Sequence, residues 1–446
     1  MSLAAVIREA GVVGAGGAGF PTHVKIGSEV EYVIANGAEC EPLMHKDGEL
    51  MAHCAERVVA GMQAVMEATG AQKGVIGIKE KNREAIDALS RYARRAEVAL
   101  HILGDFYPAG DEFVLVYEVT GRLIPPGGIP LQIGAVVLNV ETLHNIALAL
   151  DGTPVTHKFV TVAGAVRRPV SCAVPIGISF GELIELAGGA TVDAPAIMDG
   201  GAMMGRLTRN LGDCITKTTG GLIVLPGDHS LASRLERPAA VQHRIGKSAC
   251  DQCTYCTELC PRYLLGYAIE PHKVMRGLVF SMSGSEFWNR WGMLCCECGL
   301  CTLYACPEDL YPREACQQSK RVARENQVSW TSALAEETPG MTATVQAHPM
   351  YESRRIPLIQ IVRRLGLAAY DHPAPFDRMD VAPLRVQLAL KQHAGAPARA
   401  AVAVGDRVRA GDCVADVPTD ALGARIHASI GGRVRQIDPL IVIEAG

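Results

Sequence analysis

Cys250-Asp251-Gln252-Cys253-Thr254-Tyr255-Cys256-Thr257-Glu258-Leu259-Cys260-Pro261 and Cys295-Cys296-Glu297-Cys298-Gly299-Leu300-Cys301-Thr302-Leu303-Tyr304-Ala305-Cys306-Pro307 are the two stretches that decide how this chain is read. In each, cysteines stand two residues apart and a Cys-Pro pair closes the run. Two-residue gaps let one loop wrap three corners of an iron-sulfur cubane with soft thiolates. The Cys-Pro cysteine of one stretch usually supplies the fourth corner of the other's cluster, so both stretches fold as one unit. The candidate metal ligands are Cys250, Cys253, Cys256, Cys260, Cys295, Cys298, Cys301 and Cys306. Two [4Fe-4S] clusters and an electron carrier are therefore expected.

Competing uses of these cysteines fit less well. A structural zinc site closes with four ligands in two pairs, and this pattern overshoots that need. Disulfides call for an oxidising compartment, and the start of the chain has Arg8 and Glu9 where a signal peptide is apolar. The second stretch departs from the simple pattern by having four residues, not three, before its closing cysteine. It also carries the adjacent pair Cys295 and Cys296. Only Cys295 keeps the two-residue gap to Cys298, so Cys295 is assigned as ligand and Cys296 as its neighbour. Cys40, Cys54, Cys172, Cys214, Cys296, Cys316 and Cys413 are scattered and read as ordinary thiols.

Composition bounds the rest. A length of 446 residues suits about three or four domains. A hydrophobic content of 48% supports real cores. A net charge of −4 argues against nucleic acid or an anionic membrane as main partner. No run of 18 apolar residues is present, so no transmembrane segment is expected, and the expected location is the cytoplasm.

Periodicity divides the chain. Strand-like Tyr32–Ala35, a helix over 54–68, strand Gly74–Lys79, helix Glu84–Arg95, strand Val98–Leu103 and strand Ala135–Leu138 make βαβ units with parallel pairing over 1–150. From 156 to 235 a β-rich module with one short helix, Ser179–Ala187, is expected. The cluster region runs over 241–325 and closes with a helix, Arg313–Glu325. Residues 331–354 lack periodicity and read as a linker. Residues 382–446 carry short strands between Gly405-Asp406, Gly411-Asp412 and Gly431-Gly432, which suits a small all-β barrel or sandwich.

The loop Gly14-Ala15-Gly16-Gly17-Ala18-Gly19-Phe20-Pro21 is glycine-dense enough for its backbone amides to approach a phosphate. It lacks the Gly-Lys-Ser/Thr ending of a Walker loop, and it precedes the first strand where a Rossmann loop follows it. Four segments in order, this loop with Lys25, then Asn36-Gly37-Ala38-Glu39-Cys40-Glu41-Pro42, then Gly110-Asp111-Glu112, then Asn139-Val140-Glu141-Thr142, resemble the flavin subunit of respiratory complex I. That resemblance covers about 1–150. It implies a Rossmann-like domain whose segments form an FMN and NADH site. Gly14, Gly16, Gly17, Gly19 and Lys25 would hold the FMN phosphate. Asn36 and Asn139 would bond flavin or ribityl groups, and Thr142 belongs to the same motif. Glu112 would lie near the nicotinamide as the catalytic candidate. Asp111 stands where that family carries Glu. Phe20 suits ring stacking and core packing alike. Glu39 and Glu41 suit the site and a solvated turn alike.

Lys158–Pro169 and Gly200–Gly205 look like the β-grasp (SLBB) module that follows in the same family. The tail resembles the barrel-sandwich hybrid of biotinyl and lipoyl carriers. Its hairpin stretch 418–424 has no lysine to modify, so it reads as a docking module. Flavin-like domain, β-grasp, two-[4Fe-4S] ferredoxin-like helical domain and sandwich, in that order, resemble the cobalamin reductases of propanediol-utilisation microcompartments. The RnfC component of the Rnf complex has the same parts with its sandwich in front. The resemblance implies an NADH-dependent flavo-iron-sulfur reductase acting on cobalamin. An adenosyltransferase or other corrinoid-handling enzyme and a shell protein are its implied partners. Two alternatives remain: an Rnf-like NADH:ferredoxin subunit, and a non-enzymatic electron conduit or shell-docking adaptor.

Overall fold

The computed structural model describes residues 1–278, 290–330, 345–418 and 420–446. Its N-terminal part is built on α1 (Leu3–Glu9), α2 (Thr22–Lys25), β1 (Tyr32–Gly37), α3 (Lys46–Thr69), β2 (Lys73–Lys79), α4 (Arg83–Ala93) and β3 (Val98–Leu103). The short β4 (Phe106–Tyr107), α5 (Glu112–Thr120), β5 (Ala135–Asn139) and α6 (Val140–Leu150) follow. Four strands form a parallel sheet in the order β3-β2-β1-β5. Val33, Ile34 and Ala35 are all fully buried, as a parallel strand covered on both faces requires. The chain leaves β1 toward β2 on one side and reaches β5 on the other. The carboxyl ends of β1 and β5 therefore border the crevice where α/β sheets take ligands. Asn36 and Asn139 face each other there in register.

Helix α3 starts well before the expected 54–68. Asp47 and Glu49 in its first turn suit the positive end of the helix, and left-handed Gly70 (φ 67°) ends it. A kink at Cys54 separates this polar first part from the periodic apolar part that the sequence signalled. Val58, Met62 and Val65 of α3 pack with Ile7, Leu89 and Leu143 on one face of the sheet. On the opposite face Leu115 and Val116 of α5 pack against Leu264, Leu265 and Tyr267 of the cysteine-rich region.

The next module has β6 (His157–Gly164), β7 (Val170–Pro175), α7 (Phe180–Leu186), β8 (Ala196–Asp199), β9 (Arg206–Thr208) and β10 (Gly221–Leu225). They form a five-stranded sheet in the order β7-β6-β10-β8-β9. Ser179 and Glu182 make a reciprocal capping box that starts α7 where the sequence placed its helix. The cysteine region is helical, and its closing helix Pro312–Glu325 begins on a proline, whose missing N–H costs nothing at that position.

Of the expected linker, 331–344 lies outside the described residues. In the rest Tyr351 is buried and its hydroxyl donates to Glu118 of α5 at 2.8 Å; Arg355, just beyond, pairs with the same carboxylate. Ile356–Pro357 then pairs with β4, and a helix Leu358–Arg364 follows. Both are too short for periodicity to announce. The tail folds as two facing antiparallel sheets, one of four strands and one of three. Among the described residues no helix is long and apolar enough to cross a membrane.

Candidate functional site

The glycine loop folds back on itself. Gly14 N–H donates to the Phe20 carbonyl at 2.9 Å, and Gly19 N–H donates to the Gly14 carbonyl at 3.2 Å. Ala15 is tied down on both sides: its N–H donates to Thr142 Oγ1 at 2.9 Å and its carbonyl accepts from Lys158 Nζ at 3.1 Å. The tip, Gly16 to Ala18, is exposed, and its three amides bond to no other backbone group among the described residues. Gly17 sits at φ 113°, which favours glycine, and open space surrounds the place a Cβ would take. A Cβ on Gly16 would lie 3.3 Å from Asn139. Consecutive free amides over a close-packed floor form a concavity suited to an anion such as the phosphate of FMN.

The other predicted residues converge on this crevice through their own partners. Lys25 Nζ lies 3.1 Å from Glu112 and donates to the Val137 carbonyl at 3.3 Å. Asn36 Nδ2 donates to the Gly110 carbonyl at 2.9 Å. Asn139 ends β5 and caps α6, accepting from Glu141 N–H at 2.9 Å, while its amide donates to Asp47 at 2.8 Å. Asp111 caps α5, accepting from the amides of Phe113 and Val114. Phe20 is half-buried, with the Lys25 ammonium 6.0 Å from its ring centroid.

Glu39 and Glu41 are half-buried and bonded within the chain. Glu39 accepts from Asp47 N–H at 3.2 Å, and burial, with the Asp47 charge beside it, pushes its carboxyl up to about 7. Glu41 accepts from the amides of Met203 and Met204 at 2.8 and 2.9 Å. Both its oxygens therefore clamp the turn between β8 and β9 and face away from a ligand role. Burial likewise pushes it up to about 7. The sequence reading missed a buried ionic knot beneath the loop: Lys46 with Asp47 and Glu141, and Glu141 with Lys158. Burial opposes the Glu141 charge, but Lys158 and Lys46 outweigh it and hold the carboxyl below its ordinary range. Its one sequence signal was an acid amid the apolar residues that open α6.

The cysteines gather into two places. Cys250, Cys253, Cys256 and Cys306 line a single cavity, so the first run and the closing Cys-Pro cysteine of the second meet. Cys260, at the end of the first run, lies near Cys295, Cys296, Cys298 and Cys301 of the second. The extra residue before Cys306 is absorbed in a π-helical turn, Cys301–Ala305, with Cys306 N–H donating to the Cys301 carbonyl at 3.2 Å. The runs share one backbone course. Gln252 and Thr254 (φ 59° and 69°) have counterparts in Glu297 and Gly299 (φ 61° and 81°). That register sets Cys295 opposite Cys250. Each sulfur also accepts a bond at this corner, Cys250 from Gln252 Nε2 at 3.1 Å and Cys295 from Glu297 N–H at 3.3 Å. Cys296 lies beside Arg262 and bonds to Cys298, while Cys295 bonds to buried Cys316. Among the described residues no three such side chains converge closely enough for a single metal ion. A four-iron cubane spreads its thiolates more widely than zinc does, so the donor set suits the cluster.

The second of these places abuts the crevice. Arg262, two residues after Cys260, pairs with Asp111 at 2.9 Å and lies 3.6 Å from the Phe113 ring centroid. The Tyr107 hydroxyl donates to the Cys298 carbonyl at 2.5 Å. The first place reaches the surface through exposed Cys253.

Comparisons with known proteins follow this layout. The Nuo51 FMN-binding domain family matches residues 7–148, the SLBB domain 159–207, the 4Fe-4S dicluster domain 249–311 and the RnfC barrel-sandwich hybrid domain 375–446. The chain therefore carries an FMN-binding and a two-cluster iron-sulfur domain. It is 44% identical to cobalamin reductase PduS of Salmonella typhimurium, over 97% of this chain and 93% of that protein. The Citrobacter freundii cobalamin reductase PduS is 43% identical over the same shares. The C component of the proton-translocating ferredoxin:NAD(+) oxidoreductase complex of Clostridium ljungdahlii is 35% identical, over 58% of this chain and 55% of that one. With identity at this level from end to end, and every module in the same chain, the protein belongs to the family of the cobalamin reductase PduS.

Proposed function

We propose that this chain is an NADH-dependent cobalamin reductase. When bound, FMN accepts a hydride from NADH and can release its two electrons singly, and each [4Fe-4S] cluster carries one electron at a time. The free amides of Gly16 and Gly17, within the Gly14–Gly19 loop, hold the flavin phosphate with Lys25. Asn36 and Asn139 orient the ring system from the strand ends. Glu112, at the mouth beside Lys25, orients the nicotinamide. Cys250, Cys253, Cys256 and Cys306 hold one cluster. Cys260, Cys295, Cys298 and Cys301 hold the other.

The observation that carries this reading is the junction of the two sites. Arg262 joins the cysteine cage of Cys260 directly to Asp111, the neighbour of Glu112. The buried cage is the one nearest the flavin crevice, and the cage that reaches solvent at Cys253 is the one from which electrons leave. A corrinoid, or a corrinoid-handling enzyme such as an adenosyltransferase, meets the chain there. Placement in or on a shelled microcompartment, with a shell protein as partner, belongs to the same reading.

Anaerobic NADH oxidation with hydroxocobalamin as sole acceptor tests it. The expected result is corrinoid reduction that depends on bound FMN and iron. NADH-dependent bleaching with ferredoxin but no corrinoid turnover would favour an Rnf-like role. Flavin and cluster bands that NADH leaves unchanged would reduce the chain to a conduit or adaptor.

A further inference from the structure

On the sheet face opposite the cysteine cages, a cleft of about 680 Å³ opens between α3, α6 and the segment around Phe376. Three guanidinium groups line it: Arg57 of α3, Arg91 of α4 and Arg378. Among the described residues none of the three has an ion-pair or hydrogen-bond partner. Arg262 and Arg355, by contrast, are paired with Asp111 and Glu118. Glu56 is the single carboxylate in the described lining, so the cleft carries excess positive charge.

Its floor is aromatic. The rings of Phe159 and Phe376 stack with centroids 5.8 Å apart at 23°, and His53 lies tilted to Phe376 at 5.0 Å. His144 sits edge-on to Phe159 at 5.3 Å. His144 is only 4% exposed, yet its Nδ1 has no hydrogen-bond partner among the described residues. Burial holds this imidazole down to about 4, so at neutral pH it is an uncharged donor or acceptor. The side-chain amide of buried Asn145, next to it, likewise bonds to no other described residue.

We propose that this cleft is a second ligand site, for a phosphate ester carrying a planar ring, a mononucleotide in chemical class. Arg57, Arg91 and Arg378 neutralise the phosphate, since guanidinium forks match phosphate oxygens. The ring lies against Phe376, and the Asn145 amide bonds its edge. The site is separate from the flavin crevice, although the Phe159 N–H donates to Glu141 at 3.0 Å, and Glu141 is the acid beneath the glycine loop.

The test uses full-length holoprotein, saturated with NAD+ so that the nicotinamide site is filled. Titration calorimetry with 5′-AMP should show one site, with inorganic phosphate at least tenfold weaker. Arg57→Gln combined with Arg378→Gln should weaken AMP tenfold or more while NADH-ferricyanide activity is unchanged. Phe376→Ala should weaken AMP but not phosphate. Absence of AMP binding at millimolar concentration, or unchanged AMP affinity in the arginine double variant, would overturn the site. Equal affinity for phosphate and AMP would overturn the ring half of it.

Discussion

Single residues divide here into those that offer something to a ligand and those already spent inside the chain. Glu41 and Glu39 stood in one motif and read alike. Their surroundings spend Glu41 on the amides of Met203 and Met204 and Glu39 on that of Asp47. Cys295 and Cys296 are a sharper case. The shared left-handed positions after each sulfur put Cys295 in the corner equivalent to Cys250. Cys295→Ser should therefore lower iron from about eight to about four per chain and remove one of two reduced-cluster signals by electron paramagnetic resonance. Cys296→Ser should keep the iron and leave both signals in place. Iron loss in the Cys296 variant, with the Cys295 variant intact, would reverse the assignment. Spacing alone proposed Cys295, because only it kept the two-residue gap; the backbone course is the independent physical argument.

At the scale of elements, close approach decides what spacing cannot. Helices α3 and α6 cross so tightly that a Cβ on Gly61 would lie 2.0 Å from the backbone carbonyl of Leu143. That carbonyl cannot swing away as a side chain would. Gly61→Ala is expected to cost about 1–3 kcal/mol by overpacking, seen as a fall of several degrees in Tm. An unchanged Tm would mean that the two helices separate freely. Because Asn139 caps α6, which carries Glu141 and Thr142, loosening this crossing should also reduce FMN retention after gel filtration. The sequence showed both helices by their apolar period. It showed neither the polar first part of α3 nor the helix Leu358–Arg364, since a helix of two turns or one with a polar opening leaves no periodic trace. The π-turn at Cys301–Ala305 was visible only as one surplus residue.

For the molecule as a whole, the two ends of the chain share one core. Ile7 and Val12 pack in the same apolar cluster as Val386, Val414, Ile441 and Ile443. Ala394 N–H donates to the Gly19 carbonyl at 2.9 Å, so the tail also holds the glycine loop. The tail thus packs into the chain's own core. Deleting 382–446 should expose apolar surface, raise dye binding and release FMN; a truncated chain that kept its flavin and its Tm would make the tail an appendage. Lys217 joins three modules by donating to the carbonyls of Gly11 and Arg425 at 2.7 and 2.6 Å. Burial lowers its amine from 10.5 to about 7. Between those values the unfolded chain binds a proton that the folded chain does not, so stability rises with pH. The contribution is complete above 10.5 and is lost as pH falls to about 7. Lys217→Met should remove this slope, so the wild-type advantage in Tm should grow from pH 7 to 9.5. A constant difference across that range would show an amine of ordinary basicity.

The sequence by itself determined the chemistry: thiolates at cubane spacing, a loop too rich in glycine for an ordinary turn, and the order of the modules. Those are local properties, carried by residue type and interval, and they need no distant contact to be read. Only the tertiary structure decided which side chains remain free to act. Pairing between residues far apart in the chain, Arg262 with Asp111 or Glu41 with the Met203 turn, depends on how the sheet faces are covered. So does the absence of any pairing among the described residues at Arg57, Arg91 and Arg378, because a charge is left unpartnered by where the fold places it and not by its neighbours in sequence.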